Sequence, residues 1–123
     1  MYRVLSISRN VRLLLSRNHV LALAGFSVIS PREPEQAAAL AAQQAVDAVI
    51  IGHSIMGRQR KSIIHDVRRV CPQCLIGFVF VAPDVQGEPL ADFSLDVTQG
   101  PEPLITALLE RLPPKQARRS VSS

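Results

Sequence analysis

Tryptophan is missing from this 123-residue chain, which holds one tyrosine and four phenylalanines. So few aromatic faces leave little on which nucleic-acid bases could stack. Only two cysteines occur, but a chain of this length buries a real core without metal or disulfide staples. The longest apolar run near the N-terminus, Val20 to Phe26, is far too short to span a bilayer. Met1-Tyr-Arg-Val-Leu enters a strand directly, with no signal-peptide pattern, so the expected location is cytoplasmic. No G-x-G-x-x-G, no Walker pattern and no nucleophile elbow is present, and no cofactor is expected. There are no internal repeats, and the length predicts one domain.

What is there is ordinary for a globular protein, with 47% hydrophobic and 20% charged residues. The formal charge of +4 has its excess in two places. One is Arg58, Arg60, Lys61, Arg68 and Arg69; the other is the tail, with Lys115, Arg118 and Arg119. A basic balance permits nucleic-acid or acidic-partner binding, although arginine-bearing surface helices are usually just solvated.

The organising stretch is Asp47-Ala-Val-Ile-Ile-Gly-His-Ser54. Its apolar run, Ala48 to Ile51, reads as a strand buried on both faces. An alanine-rich helical run precedes it and a basic one follows it, which makes it the centre of a parallel sheet. In such sheets chemistry collects just beyond the carboxyl ends of the strands, here at Gly52-His53-Ser54.

In order, Tyr2–Ile7 reads as the first strand. Ser8 or Asn10 caps a helix of about four turns, with Val11, Leu14, Leu15, Val20 and Leu21 at helical spacing. Gly25 stops it, Phe26–Ile29 is a second strand, and Pro34 opens a helix over Glu35–Ala45. After the central strand, a helix over Arg58–Val70 carries Ile63, Ile64, Val67 and Val70 on its apolar face and ends before Pro72. Cys74–Val81 is a buried strand. Pro83, Gly87 and Pro89 predict that the next helix is short or absent. Asp92–Val97 is a fifth strand, with Asp92 and Asp96 as charged residues protecting an edge. A last helix, Leu104–Leu112, puts Leu104, Ile105, Leu108, Leu109 and Leu112 inward. The prediction is a flavodoxin-like, doubly wound, five-stranded parallel α/β sheet of order 2-1-3-4-5 over residues 1–113, followed by a disordered basic tail, 114–123.

With "YRVLSISRNVRLLLSRNHVLALAGFSVIS" for strand one, helix one and strand two, "DAVIIGHSIM" for the third strand, and "ADFSLDVTQGPEPLI" for the fifth, the chain resembles the receiver domain of bacterial response regulators, the CheY-like superfamily. That resemblance implies a set of acidic Mg²⁺ ligands after strand one, a phosphoacceptor Asp ending strand three, a hydroxyl residue ending strand four and a Lys ending strand five. The chemistry needs oxygen ligands for a hard ion and a cation and hydroxyl for the phosphoryl oxygens. Here Ser8 and Arg9 stand for the acidic pair, with Arg9 set to repel a metal. Gly52 stands for the phosphoacceptor, Val81 or Ala82 for the hydroxyl residue, and Val97 or Thr98 for the lysine. The resemblance is thus to a degenerate, or pseudo-, receiver that is not phosphorylated on Asp.

His53-Ser54 reads as a pocket pair or, more simply, as loop caps. Cys71-Pro-Gln-Cys74, with His65 as a third ligand, is half of a zinc site, and it lies at the wrong end of a helix for thioredoxin-like redox chemistry. The simpler expectation puts Cys74 in a strand core and Cys71 in a loop. The leading expectation is a non-enzymatic two-component signalling module. Its partner would be a protein: a sensor kinase, a transcription factor or a second copy of the chain. The last helix and the helix after strand one are the candidate partner surfaces. The alternatives are nucleic-acid association through the basic segments, and a metal or redox protein built on Cys71 and Cys74.

Overall fold

The computed structural model describes residues 1–81 and 86–114. Its elements are β1 (Arg3–Ile7), α1 (Val11–Leu23), β2 (Ser27–Ile29), α2 (Ala37–Gln44, entered through a 3-10 turn at Pro34–Gln36), β3 (Ala48–Gly52), α3 (Gly57–Val70), β4 (Leu75–Phe80), β5 (Phe93–Asp96) and α4 (Glu102–Arg111). The strands form one sheet in the order β2-β1-β3-β4-β5. Every pairing is parallel, with Leu5 opposite Val49 and Val49 opposite Ile76. The order is the one expected from the alternation of strands and helices.

Period-2 alternation splits the sheet's side chains between two cores. Leu5, Ile7, Val49, Ile51 and Ile76 pack with Ala37 and Ala41 of α2 and with Ile63, Ile64 and Val67 of α3. Val4, Ala48, Ile50 and Val79 pack with Leu21 of α1 and Leu104 and Leu108 of α4. All five residues of β3 are buried, because helices cover both faces of the central strand. The small side chains of Ala37 and Ala41 let α2 lie close to the sheet.

The ends of α1 follow its local chemistry. Asn10 is the cap, accepting from the Leu13 N–H at 3.1 Å. At the other end Gly25 takes φ +98°, its N–H donates to Ala22 O, and the Phe26 N–H reaches back to Leu21 O. This is a Schellman stop, closed by the buried Leu21 and Phe26.

Several expectations of burial are corrected. Val11 and Leu15 are each 64% exposed, while Arg17 is buried. At 3.6 residues per turn, Leu14, Arg17 and Leu21 share one stripe, and Val11 and Leu15 lie on another. The first stripe meets the sheet. Val70 and Leu109 are likewise exposed, because α3 and α4 each bury only one face. Cys71 and Cys74 are not a core thiol and a loop thiol. They are joined in a disulfide, both buried in the core under α3.

Between β4 and β5 no helix occurs among the described residues, as the prolines and glycine predicted. Residues 82–85, which include the alternative hydroxyl position Ala82, and the tail 115–123 lie outside the described residues. Among the described residues no helix is long and apolar enough to cross a membrane.

Candidate functional site

β1, β3, β4 and β5 all end at one edge of the sheet, and a cavity of about 190 Å³ opens there. Ser8, Gly52, Val81 and Val97, drawn from four separate strand ends, line it together, as do His53 and Ser54. The parallel order brings them there: Ile7 pairs with Ile51, Gly52 with Val79, and the Val97 N–H donates to Phe80 O at 2.8 Å. Leu13, Ser16 and Arg17 of α1, Val79 and Phe80 of β4, and Gly100 and Pro101 just before α4 complete the wall.

Hydroxyl groups lace the loops at the mouth. Ser8 Oγ lies 3.0 Å from Ser54 Oγ, and Ser54 Oγ accepts from the Arg9 N–H at 2.8 Å. Ser8 Oγ also accepts from the Asn10 N–H at 3.0 Å. Ser54 thus ties the β3–α3 loop to the β1–α1 loop. His53 contributes to the cavity wall.

Arg9 does not serve the site. Its side chain turns outward, donating to Gln59 Oε1 at 2.8 Å and lying 3.6 Å from Glu35. The cation at the site is Arg17, which the sequence reading missed. It is 8% exposed, and its Nη2 donates to the Ile7 carbonyl at 2.9 Å. Its Nε and Nη1 are buried with no hydrogen-bond partner among the described residues. No carboxylate of the described residues lines the cavity or pairs with this guanidinium. Burial pushes its pKa down to about 10, which leaves it charged at neutral pH. An uncompensated buried charge of this kind costs roughly several kcal/mol. A usable signal was present in the sequence, since Arg17 lies three residues after Leu14 and four before Leu21.

The basic residues of α3 divide. Arg60 Nε and Lys61 Nζ hold the carboxylate of Glu88 at 2.8 and 3.1 Å, and the Glu88 side chain is fully buried. Arg60 also donates to Ile55 O and lies over the Phe78 ring, its Cζ 4.2 Å from the centroid. Arg68 pairs with Asp92 at 3.1 Å and donates to Leu90 O. Asp92 is not merely an edge charge, because its Oδ2 accepts from the Ile76 N–H at 2.7 Å. These contacts fasten the β4–β5 connection onto α3. Arg69 makes only a surface pair with Asp66, and Arg58 makes no ion pair among the described residues.

His65 is not gathered with the cysteines into a metal set. Among the described residues no group of three or more His, Cys, Asp or Glu is placed to hold an ion. Both sulfurs are instead engaged in the disulfide and lie against Val46 O.

No protein-family model matches the chain, and no curated protein does. Solved structures do. A response regulator receiver domain protein (CheY-like) of Methanospirillum hungatei matches with a TM-score of 0.77 at 13% identity, covering 90% of this chain and 93% of that one. The chemotaxis response regulator CheY4 of Vibrio cholerae matches with a TM-score of 0.75 at 19% identity, over 89% and 98%. A CheY-like protein (tadZ) of Pseudomonas aeruginosa matches at 0.69 and 17% identity, over 92% and 100%.

This is the receiver fold. Within it, the cavity lies where β1 and β3 present their carboxyl ends. At these identities the likeness establishes the architecture, and the chemistry of the edge has to be argued from its own side chains.

Proposed function

We propose that this chain is a receiver-type signalling module that acts by protein–protein contact and is not phosphorylated on Asp. The observation that carries this reading is the composition of the cavity. A hard divalent ion needs several oxygen ligands, carboxylates above all. The described lining supplies serine hydroxyls, a histidine and a buried guanidinium, but no carboxylate. This donor set does not fit Mg²⁺, and Arg17 repels it. Gly52, at the end of β3, has no side chain to accept a phosphoryl group. The module has no catalytic step of its own under this reading.

The partner surface we assign is α1. On it Val11, Leu15 and Leu23 are 64%, 64% and 75% exposed, apolar side chains that a protein partner could cover. The nucleic-acid alternative is weakened because Arg60, Lys61 and Arg68 are already spent on Glu88 and Asp92. The redox and metal alternative is weakened by the burial of Cys71 and Cys74.

Two measurements test the proposal. Incubation with acetyl phosphate and Mg²⁺ leaves the intact mass unchanged; an acid-labile gain of one phosphoryl group on an Asp would overturn it. Tagged protein retains a stoichiometric protein partner from lysate of its source cells after nuclease treatment, and Val11→Glu/Leu15→Glu loses that partner while melting at the parent temperature. Retention of nucleic acid alone would transfer the weight to the basic segments.

A further inference from the structure

We infer that the cavity at the carboxyl edge of the sheet binds a small organic anion, a carboxylate on a short apolar body, with Arg17 as its counter-charge. The inference rests on the reading of this edge as unphosphorylated and goes beyond it by naming a ligand class.

The charge of the ligand follows from Arg17. A guanidinium carries five N–H donors and cannot be neutralised near neutral pH. Here it is 8% exposed and one donor group is committed to the Ile7 carbonyl. Nε and Nη1 have no partner among the described residues. Buried charges are ordinarily paired, and no side chain of the described lining can pair this one. A bound anion would. The hydroxyls of Ser8 and Ser54, 3.0 Å apart and bonded to each other, give the mouth a polar but uncharged rim.

The body of the ligand follows from the walls. Leu13, Val79, Val97 and Pro101 face the space with hydrocarbon. A bare inorganic anion would lose its hydration there with little return, whereas an apolar body gains from burial. The volume, about 190 Å³, exceeds the roughly 150 Å³ that suffices for a benzene ring. A ligand the size of benzoate or butyrate fits.

The test uses the full chain. Melting curves and titration calorimetry are run with sodium benzoate and sodium butyrate, against sodium phosphate and sodium chloride at equal ionic strength. At tenfold above its Kd an organic carboxylate raises Tm by about 5 °C over chloride. Saturable heat accompanies it, and both effects vanish in Arg17→Met. Val97→Phe, which fills the cavity and keeps Arg17, removes them as well, and decides the matter should Arg17→Met not fold. Shifts equal to those of chloride, shifts that persist in either variant, or a response to phosphate alone would each overturn the inference. The mass measurement with acetyl phosphate is independent: a phosphoryl adduct would sink the unphosphorylated reading whatever the carboxylates do.

Discussion

A Cβ placed on Gly52 would stand 3.5 Å from Nη2 of Arg17 and 3.5 Å from the Ile7 carbonyl oxygen, ordinary contact distances. A side chain therefore fits at the end of β3, and among the groups it meets is a buried cation. Gly52→Asp would supply the missing counter-charge from within the chain. We expect it to raise Tm, the new charge-assisted hydrogen bond contributing about 2 kcal/mol. In an Arg17→Met background the same substitution should lower Tm, since the carboxylate is then buried alone. Thermal melting of the four proteins closes the double-mutant cycle. Equal effects of Gly52→Asp in both backgrounds would mean that the two side chains do not meet.

Gly77 and Phe93 make a second close pair, between β4 and the edge strand β5. Gly77 pairs with Phe93 across β4 and β5, and a Cβ on Gly77 would fall 2.3 Å from the Phe93 ring. The ring cannot give way freely, because it is buried and has the Arg111 guanidinium 5.3 Å from its centroid. Gly77→Ala should destabilise by about 1–3 kcal/mol, the usual cost of overpacking. Phe93→Leu should recover part of that loss in the double variant. Urea midpoints of the single and double variants measure both, and an additive result would contradict the clash.

The strands and their order were legible because Val49-Ile-Ile51 and Ile76–Val79 are runs that only a doubly covered sheet can bury. Asn10 and Gly25 marked the ends of α1 by local backbone chemistry that needs no tertiary partner. The site was half legible. Ser8, Gly52, Val81 and Val97 were picked out, and the structure brings them to one cavity. Arg17 was not, because an arginine in a helix is read as solvated even when it lies on the apolar stripe. The same bias made Val11 and Leu15 look like core. The cations of α3 read as a free patch because nothing local reveals that Glu88, 27 and 28 positions further on, will be buried against two of them. Pairing across that distance is decided by packing.

The disulfide makes a prediction that does not involve the cavity. Cys71 and Cys74 are separated by three positions, span the turn from α3 into β4, and are buried in the α2–α3 core. Closing so short a loop constrains the unfolded chain little, and the entropic contribution is about 2 kcal/mol. Reduction should therefore lower Tm without abolishing the fold. Cys71→Ala/Cys74→Ala should melt below the oxidised protein and be indifferent to dithiothreitol. A parent protein whose melting is unchanged by reductant would show that the sulfurs are not linked in solution.

Glu88 gives a test through pH. Its burial alone would raise its pKa, but hydrogen bonds from Arg60, the Leu90 N–H and Lys61 outweigh that and hold it below the 4.5 of a free glutamate. A carboxylate depressed in the fold contributes stability that is fully present above its unfolded pKa. That contribution is lost as pH falls through the folded value. Glu88→Gln keeps the shape but leaves Arg60 and Lys61 without their counter-charge, at a cost of about 2 kcal/mol at neutral pH. The gap between parent and variant should stay constant down to about pH 4.5 and then close as Glu88 takes up its proton. Urea unfolding of both proteins from neutral pH down into the acid range reads the gap directly. A gap that stays the same width throughout would mean that the ion pair contributes nothing and that the variant loses only packing. A closing gap would identify the Glu88 carboxylate as one of the groups that pin the β4–β5 connection to α3, beside Asp92.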